Sequence, residues 1–291
     1  MFSYHGGHSS ELCDHASDRK EEIIEAYIQA GFSHLAITEH LPPEEDSFLY
    51  PDEISLGHTA SFLTDRFTRY VREQIPLLRA QFATQIELRF GFETEFYGND
   101  PEARIERAIN SYSPEIIVAS LHHVADIPID YDRAMYEQAV LAVGGLEGLF
   151  ETYYEQQFRL FSLLSKYASS IPIVVGHMDL IKIFSPEYEV SKGIWEKIER
   201  NIKLGISAGF AFEVNSRGLK KGLGEPYPSL RIVDEICSRA GALTLGDDSH
   251  GKEEVGLYYP ETMAQLGART NSLMVVKSSE SGYQWIPYAD R

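Results

Sequence analysis

Short runs of apolar residues alternate along this chain with longer segments in which apolar residues recur every three or four positions. The runs predict β-strands, and the longer spacing predicts amphipathic helices. Predicted strands lie around residues 2–4 and at 34–38, 87–96, 116–123, 171–177, 211–215, 242–246 and 273–277. Predicted helices lie at 17–31, 61–83 and 101–111, within 131–167, and at 192–205, 229–240 and 260–266. Residues 41–60 are rich in Pro, Asp, Glu and Gly and predict a loop, while Pro76 predicts a kink in its helix.

This alternation predicts a parallel sheet whose strands are connected by helical crossovers. Eight predicted strands favour a closed barrel over an open sheet. No internal repeat, low-complexity segment or long linker divides the chain, and 43% of its 291 residues are hydrophobic, enough for a substantial core. We therefore predict an α/β barrel that folds as a single domain over residues 1–291.

Charge and cysteine content narrow the class of protein. The chain has 44 acidic and 26 basic residues, a net charge of −18, which argues against nucleic acids and anionic membranes as non-specific partners. Its two cysteines, Cys13 and Cys237, form no CxxC pair and predict no disulfide framework. We find no signal-peptide pattern and no long uncharged apolar run, so we expect a cytoplasmic protein. The sequence does not indicate an oligomeric state.

Potential metal ligands recur at or near the ends of the predicted strands. In βα barrels the carboxyl ends of the strands form the rim where active sites assemble. One histidine at a strand end is more often a hydrogen-bonded core residue than a ligand, but this set includes seven of the ten histidines. The N-terminal histidines are spaced and lead into a helix, unlike a purification tag. The set is His5, His8, His15, His40, Glu93, His122, His177, Asn215, Asp248 and His250.

The donor types predict the metal and the reaction. Imidazole and carboxylate ligands without thiolate suit zinc, iron or manganese. The set is too large for one ion, so we predict two or three divalent ions that share a bridging carboxylate, either Glu93 or Asp248. Clustered ions lower the pKa of a shared water and stabilise the attacking and leaving oxygens. This chemistry predicts the hydrolysis of a phosphoester.

The order of the motifs resembles the PHP superfamily, named for polymerase and histidinol phosphatase. The motifs are TEH at 38–40, GFE at 91–93, SLHH at 120–123, GHMD at 176–179, EVN at 213–215 and DDSH at 247–250. Within the superfamily the chain is similar to the histidinol-phosphate phosphatases of histidine biosynthesis. This closer similarity lies in TEHLPP at 38–43, YPDEISLG at 50–57, HHVADIPID at 122–130, GHMDLIKIF at 176–184 and GEPYPS at 224–229.

The resemblance implies a distorted (β/α)7 barrel with a trinuclear metal site, and it distributes the ligands among three ions. The first ion would be held by His5, His8, Glu93 and Asp248. Glu93 would bridge to a second ion, held also by His122 and His177, and a third would be held by His15, His40 and His250. A hydroxide shared between ions would attack phosphorus, with Asp248 as the base or proton acceptor. The implied reaction is the hydrolysis of L-histidinol phosphate to L-histidinol and phosphate.

One motif departs from the family pattern. The family usually has HxH at the first strand, where residues two apart share a face, whereas this chain has HGGH from His5 to His8. On a regular strand these two imidazoles would point to opposite faces. We predict that Gly6 and Gly7 form a bulge or a turn with positive φ that makes them converge.

Basic residues near the later strand ends are candidates for substrate contacts. Lys182 and Lys220 match positions that are basic in the resembling phosphatases, and with Arg217 they are predicted to bind phosphate, with Lys221 as an alternative. The cationic end of the substrate would favour an acidic neighbour. The candidates are Glu11, Asp14, Glu95 and Asp179.

Two other functions remain compatible with the sequence. A PHP-type phosphoesterase could act on another small phosphomonoester or on a nucleotide. A metal-binding or scaffold protein without catalytic activity would retain the fold but would normally have lost ligands, and nearly all of them are present here.

Overall fold

The predicted alternation of strands and helices is present along the chain. The computed structural model describes residues 1–279 and 282–290. The strands are β1 (Phe2–Ser3), β2 (His34–His40), β3 (Glu87–Glu93), β4 (Ile116–Ala119), β5 (His123–Val124), β6 (Ile127–Pro128), β7 (Ile173–Val175), β8 (Ala211–Asn215), β9 (Ala242–Gly246), β10 (Met274–Ser279) and β11 (Gly282–Pro287). The α-helices are α1 (Lys20–Gln29), α2 (Pro51–Ser55), α3 (Ala60–Arg69), α4 (Ile75–Phe82), α5 (Pro101–Tyr112), α6 (Arg133–Ala142), α7 (Leu146–Leu164), α8 (Lys192–Ala208), α9 (Arg217–Lys220), α10 (Leu230–Ser238) and α11 (Tyr259–Leu266).

The chain divides into two compact units. Unit 1 comprises Met1–Val118 and Gly246–Leu257, and unit 2 comprises Ala119–Leu245 and Tyr258–Arg291, of which 280, 281 and 291 lie outside the described residues. The prediction that residues 1–291 form a single domain stays a prediction. Within the described residues, we find no helix that combines the length and the apolar character needed to cross a membrane.

Unit 1 is built on parallel strands in the order β1-β2-β3-β4. Strands β2 and β3 pair over their whole length, so their last residues, His40 and Glu93, lie side by side. Their apolar residues, such as Leu35, Ile37, Phe90 and Phe92, are buried almost completely, which explains the near-continuous apolar runs. The carboxyl ends of these parallel strands therefore meet at one edge.

The predicted helix over 61–83 is interrupted. It consists of α3, a π-helical turn at Tyr70–Gln74, and α4. Pro76 explains the interruption, because proline has no N–H and its ring collides with the carbonyl four residues earlier in a regular helix. The wider turn accommodates the proline where we predicted a kink.

The predicted loop over 41–60 contains short helical elements. A 3-10 turn covers Asp46–Phe48, and α2 begins at Pro51 with a capping box in which the Tyr50 N–H donates to Glu53 Oε2 over 2.8 Å. Proline at the first helical position and glutamate at the third are typical of a helix start. We predicted a loop from the Pro, Asp, Glu and Gly content of residues 41–60 and therefore missed this helix start.

Unit 2 also contains parallel strands. The Gly176 N–H, directly after β7, donates to the Ala119 carbonyl at the end of β4 over 3.1 Å. Strands β7 and β8 are parallel, with Val175 opposite Phe212, and β9 is the next strand in the order. Helices α7 and α8 pack together, and Asn201 on α8 donates to the Tyr154 carbonyl over 2.8 Å.

Two further strand predictions are wrong in extent or pairing. The strand predicted at 116–123 ends at Ala119, and His123–Val124 instead pairs antiparallel with Ile127–Pro128. Ala125 and Asp126, with φ of 51° and 63°, form the turn of this hairpin. The strand predicted at 273–277 is β10, and it forms an antiparallel hairpin with β11, which we did not predict. The eighth predicted strand therefore belongs to a hairpin, because its pairing partner follows it directly in sequence.

Candidate metal centre

In unit 1 the HGGH segment places the imidazoles of His5 and His8 beside the carboxylate of Asp248. Strand β1 ends at Ser3, and Gly7 then adopts a φ of 74°, which only glycine adopts without strain. His5 Nε2 and His8 Nε2 lie 3.9 and 3.3 Å from Asp248 Oδ1. The predicted turn with positive φ is confirmed, and these three side chains are close enough to hold one metal ion.

Gly6 is required for a different reason. A Cβ atom on this residue would lie 2.5 Å from Asp247 Oδ1 and 2.6 Å from the Tyr27 hydroxyl oxygen. Both distances are shorter than side chains tolerate, so the backbone passes this close only because Gly6 has no side chain. Gly6 thus lets the backbone pass close to Asp247 and Tyr27, whereas Gly7 lets the backbone turn with a positive φ.

Glu93 lies between several of the predicted ligands. Its carboxylate is buried at the end of β3, and Oε2 lies 3.2 Å from His5 Nε2 and 3.2 Å from His40 Nδ1. The same oxygen is 3.9 Å from His8 Nε2. A carboxylate oxygen shared by three imidazoles has the position expected of a bridging ligand.

The other unit 1 histidines form a stacked series. His8 stacks on His40 and on His250 with centroid separations of 4.6 and 4.4 Å, and His15 stacks on His250 at 4.8 Å. Potential ligand atoms of His8, His40 and His250 converge, and those of Cys13, His15 and His250 form a second group. Cys13 Sγ lies 3.2 Å from His15 Nε2, so a sulfur donor is present beside the imidazoles. Burial raises the pKa of the Cys13 thiol.

A buried ion pair that the sequence analysis did not identify supports His8. Glu39 Oε2 faces His8 Nδ1 at 3.5 Å, and Lys20 Nζ donates to Glu39 Oε1 over 2.6 Å. Burial by itself raises the pKa of Glu39, but the Lys20 ammonium and His8 outweigh it and lower the pKa to about 2. Lys20 also donates to the Gly7 carbonyl in the HGGH turn. A carboxylate on one imidazole nitrogen fixes the ring and leaves the other nitrogen for a metal.

The sequence did contain a signal for Glu39. It occupies the middle of the TEH motif, on the same strand end as His40, although we assigned it no role. Lys20 had no such signal, since a lysine at a helix start is normally exposed.

The adjacent carboxylates Asp247 and Asp248 have different environments. Asp247 accepts hydrogen bonds from the Ser3 hydroxyl at 3.0 Å, the Tyr27 hydroxyl at 2.6 Å and the Gly256 N–H at 2.7 Å. Burial raises the pKa of Asp247 to about 6. Asp248 has a φ of 48° and turns towards His5 and His8 instead. Asp247 therefore anchors the loop, and Asp248 has the position of a ligand.

Unit 2 carries two predicted ligands of its own. His122 follows β4 and His177 follows β7; both are buried, and their Nε2 atoms lie 3.3 Å apart. The His177 N–H donates to Glu213 Oε2 over 2.8 Å, which fixes the loop after β7. Two imidazole nitrogens at this separation can bind the same ion, since zinc–nitrogen bonds are about 2.0–2.1 Å long.

The residues predicted to bind phosphate also lie after strands of unit 2. Lys182 Nζ lies 3.1 Å from Asp179 Oδ2 and 3.0 Å from Glu225 Oε1. Burial opposes the charge of Lys182, but these two carboxylates outweigh it and raise its pKa. Arg217 and Lys220 form the ends of α9, directly after β8, and the Arg217 N–H donates to Asn215 Oδ1 over 2.8 Å. Lys182 is therefore a protonated side chain that already has acidic partners.

The donors present fit divalent metal ions. Imidazole nitrogens and carboxylate oxygens predominate, and those of His5, His8, Glu93 and Asp248 are buried within a few ångströms of one another. Such sets suit zinc, iron or manganese. So many ionisable groups are rarely buried together unless they are paired or coordinate metals.

Comparisons with known proteins agree with the motifs. The family model described as "PHP domain" matches residues 5–217. The Schizosaccharomyces pombe protein named "Probable histidinol-phosphatase" is 37% identical over 258 residues, covering 87% of this chain and 81% of that protein. The Saccharomyces cerevisiae protein named "Histidinol-phosphatase" is 27% identical over 301 residues, covering 89% of this chain and 86% of that protein.

A solved structure shows the same fold. The histidinol phosphate phosphatase of Lactococcus lactis, complexed with zinc, L-histidinol and phosphate, superposes with a TM-score of 0.68 over 97% of this chain and 98% of that one. Its sequence identity is 16%, so the likeness concerns the fold. The predicted α/β fold of the PHP type is confirmed. Together with the family match and the S. pombe relative, it shows that the chain belongs to the PHP family and, within it, to the histidinol-phosphatases.

Proposed function

We propose that this chain is a metal-dependent phosphomonoesterase that hydrolyses L-histidinol phosphate to L-histidinol and phosphate. The observation that carries the proposal is the convergence of His5, His8 and Asp248 around Glu93 in a member of the histidinol-phosphatase family. The L. lactis structure adds support, because that protein binds zinc, L-histidinol and phosphate.

The proposed metal ligands are the strand-end residues of both units. We propose two or three divalent ions per chain, and zinc is favoured over iron or manganese because the L. lactis protein binds it. The ligands in unit 1 are His5, His8, His15, His40, Glu93, Asp248 and His250. The ligands in unit 2 are His122 and His177.

The bound ions would supply a nucleophilic water of lowered pKa and polarise the phosphoryl oxygens. The protein positions the ligands for this. Glu93 Oε2, between His5 and His40, has the position of the bridge, and Glu39 orients His8. Asp248 is the proposed proton acceptor, because its side chain remains 11% exposed and therefore within reach of water.

We propose that Lys182, Arg217 and Lys220 bind the substrate phosphate. Lys182 would contribute a point charge, since an ammonium lacks the two-pronged geometry of a guanidinium. Asp179 and Glu225 keep this ammonium in place. Arg217 would be the stronger contact because it can donate two parallel hydrogen bonds.

We further propose that residues 1–291 work as one phosphoesterase domain on a small-molecule substrate in the cytoplasm, without nucleic-acid or membrane partners. The net charge of −18 supports the absence of polyanionic partners. The two cysteines, both free, are compatible with a reducing compartment.

The test measures phosphate release from L-histidinol phosphate, sugar phosphates and nucleotides by the purified, metal-loaded chain. We expect L-histidinol phosphate to be hydrolysed with a kcat/KM at least about 100-fold higher than the others, a ratio within reach of pocket contacts. The matched control, Glu93→Gln, should lose activity and bound metal together. Equal turnover of all substrates would refute the substrate assignment, and no phosphate release from any of them would favour a protein without catalytic activity.

A further inference from the structure

A small cavity opens beside His40 in unit 1. Its volume is about 50 Å³, several times the roughly 10–15 Å³ that one water molecule needs. Tyr50, Phe67 and Tyr97 form its aromatic wall, and three leucines and two prolines complete its apolar lining. The cavity is therefore suited to a flat, mostly apolar group.

The polar side chains of the cavity have an excess of negative charge. Glu53, Glu95 and Arg66 line it. The Arg66 guanidinium already donates to Asp14 Oδ1 over 3.2 Å and to the Leu12 carbonyl over 2.7 Å. Because Asp14 offsets the charge of Arg66, the two glutamates leave the cavity favourable to a cation.

Glu53 is held so that it faces this space. One of its carboxylate oxygens accepts the Tyr50 N–H at the start of α2. Burial, with the nearby charges of Asp14 and Glu95, raises the pKa of Glu53. A cation bound in the cavity would relieve this unfavourable placement of a carboxylate.

The cavity adjoins the candidate metal centre through one imidazole. His40 lines the cavity, and its Nδ1 atom lies 3.2 Å from Glu93 Oε2 and 3.4 Å from Glu95 Oε1. A small substrate with its phosphate at the metal ions would therefore extend its other end towards this space.

We propose that the cavity binds the imidazole ring of the substrate, with Glu53 accepting a hydrogen bond from the protonated ring. This inference rests on the proposed function and deepens it, because it identifies Glu53 as a residue that determines specificity. A positively charged, planar, five-membered ring matches both the apolar walls and the negative charge. Sugar phosphates lack such a ring and would gain nothing from the cavity.

The experiment compares wild-type protein with Glu53→Gln on L-histidinol phosphate and on p-nitrophenyl phosphate, which has no cationic group. The glutamine still accepts the Tyr50 N–H, so the capping contact of α2 is kept. Loss of a charge-assisted hydrogen bond should raise the KM for L-histidinol phosphate about tenfold or more, with a much smaller change in kcat. The kcat/KM for p-nitrophenyl phosphate should stay within about twofold of the wild-type value, because this substrate has no cationic group for Glu53 to bind.

The matched control is Glu45→Gln, which removes the same charge from an exposed residue of the same segment. It should leave both substrates unaffected. An unchanged KM for L-histidinol phosphate in Glu53→Gln, or an equal loss with both substrates, would overturn the proposal.

A second measurement separates this proposal from the proposed function. Calorimetric titration of the metal-loaded protein with L-histidinol alone needs no turnover. If the wild type fails to hydrolyse L-histidinol phosphate, the proposed function is refuted. About tenfold weaker binding of L-histidinol by Glu53→Gln would still support the cavity assignment, and equal binding would refute it.

Discussion

His8 shows at the scale of one residue how buried contacts orient a proposed metal ligand. Its Nδ1 atom faces Glu39 at 3.5 Å, and its Nε2 atom lies 3.3 Å from Asp248 Oδ1. Glu39 is itself paired with Lys20, and all three side chains are fully buried. A buried charge pair contributes little net stability, so its value here is in orienting the imidazole.

The Glu39 ion pair yields a prediction that separates positioning from stability. Glu39→Gln leaves the Lys20 ammonium buried without a counter-charge and should lower the free energy of unfolding by about 3–5 kcal/mol. It should also weaken metal binding about 10- to 100-fold, the usual effect of removing a carboxylate behind a histidine ligand. Denaturant unfolding and competitive metal titration measure the two effects.

The double variant Lys20→Met with Glu39→Gln is the control. It removes both charges and should recover most of the lost stability, while metal binding stays weak because His8 still lacks its carboxylate. Recovery of metal affinity together with stability would show that Glu39 has only a structural role.

At the scale of elements, the site depends on how each strand ends. Strands β2 and β3 end side by side at His40 and Glu93 because they pair in register. Strand β1 ends earlier, at Ser3, so the HGGH segment is a turn and its histidines converge through backbone geometry. The change from HxH to HGGH is therefore compatible with a complete set of ligands in unit 1.

Gly7→Ala tests this turn. An alanine at a φ of 74° is strained, so the free energy of unfolding should fall by about 1 kcal/mol. The turn should also shift, so that His5 and His8 converge less well and bound metal per chain decreases. Thermal unfolding and elemental analysis give the two results.

Gly31→Ala is the matched control, since Gly31 has a φ of 80° at the end of α1 and a Cβ there meets no atom within 4 Å. It should lose similar stability and keep its full metal content. Equal metal content in both variants would contradict the role of the HGGH turn.

At the scale of the whole molecule, the net charge of −18 and the proposed ions are connected. Seven of the proposed ligands lie in unit 1, where Glu39, Glu93, Asp247 and Asp248 are buried. Bound divalent ions are often the largest local charges in such a site. They would offset the mutual repulsion of these carboxylates, so metal binding should contribute to the stability of the fold.

Removing the metal should therefore destabilise the protein. Chelation of ions present at about 100 times their dissociation constant removes about 2.7 kcal/mol of stabilisation per site. We expect the melting temperature to fall by about 5 °C or more and to recover when zinc is added back. Scanning calorimetry alongside elemental analysis provides the measurement. A metal-free protein with an unchanged melting temperature would show that these ions play no part in stability.

Much of this protein could be predicted from local patterns. Apolar strands that end in polar residues placed His40, Glu93, His177 and Asp248 near strand ends, because periodicity and burial are properties of short segments. The two glycines of HGGH predicted a turn, since positive φ is a local property of the backbone.

The tertiary structure decided what depends on residues distant in sequence. The pairing of Lys20 with Glu39, the different roles of Asp247 and Asp248, and the cavity at Glu53 all arise from contacts between separate elements. Pattern and propensity describe one segment at a time, whereas these features exist only once the chain has packed its segments together.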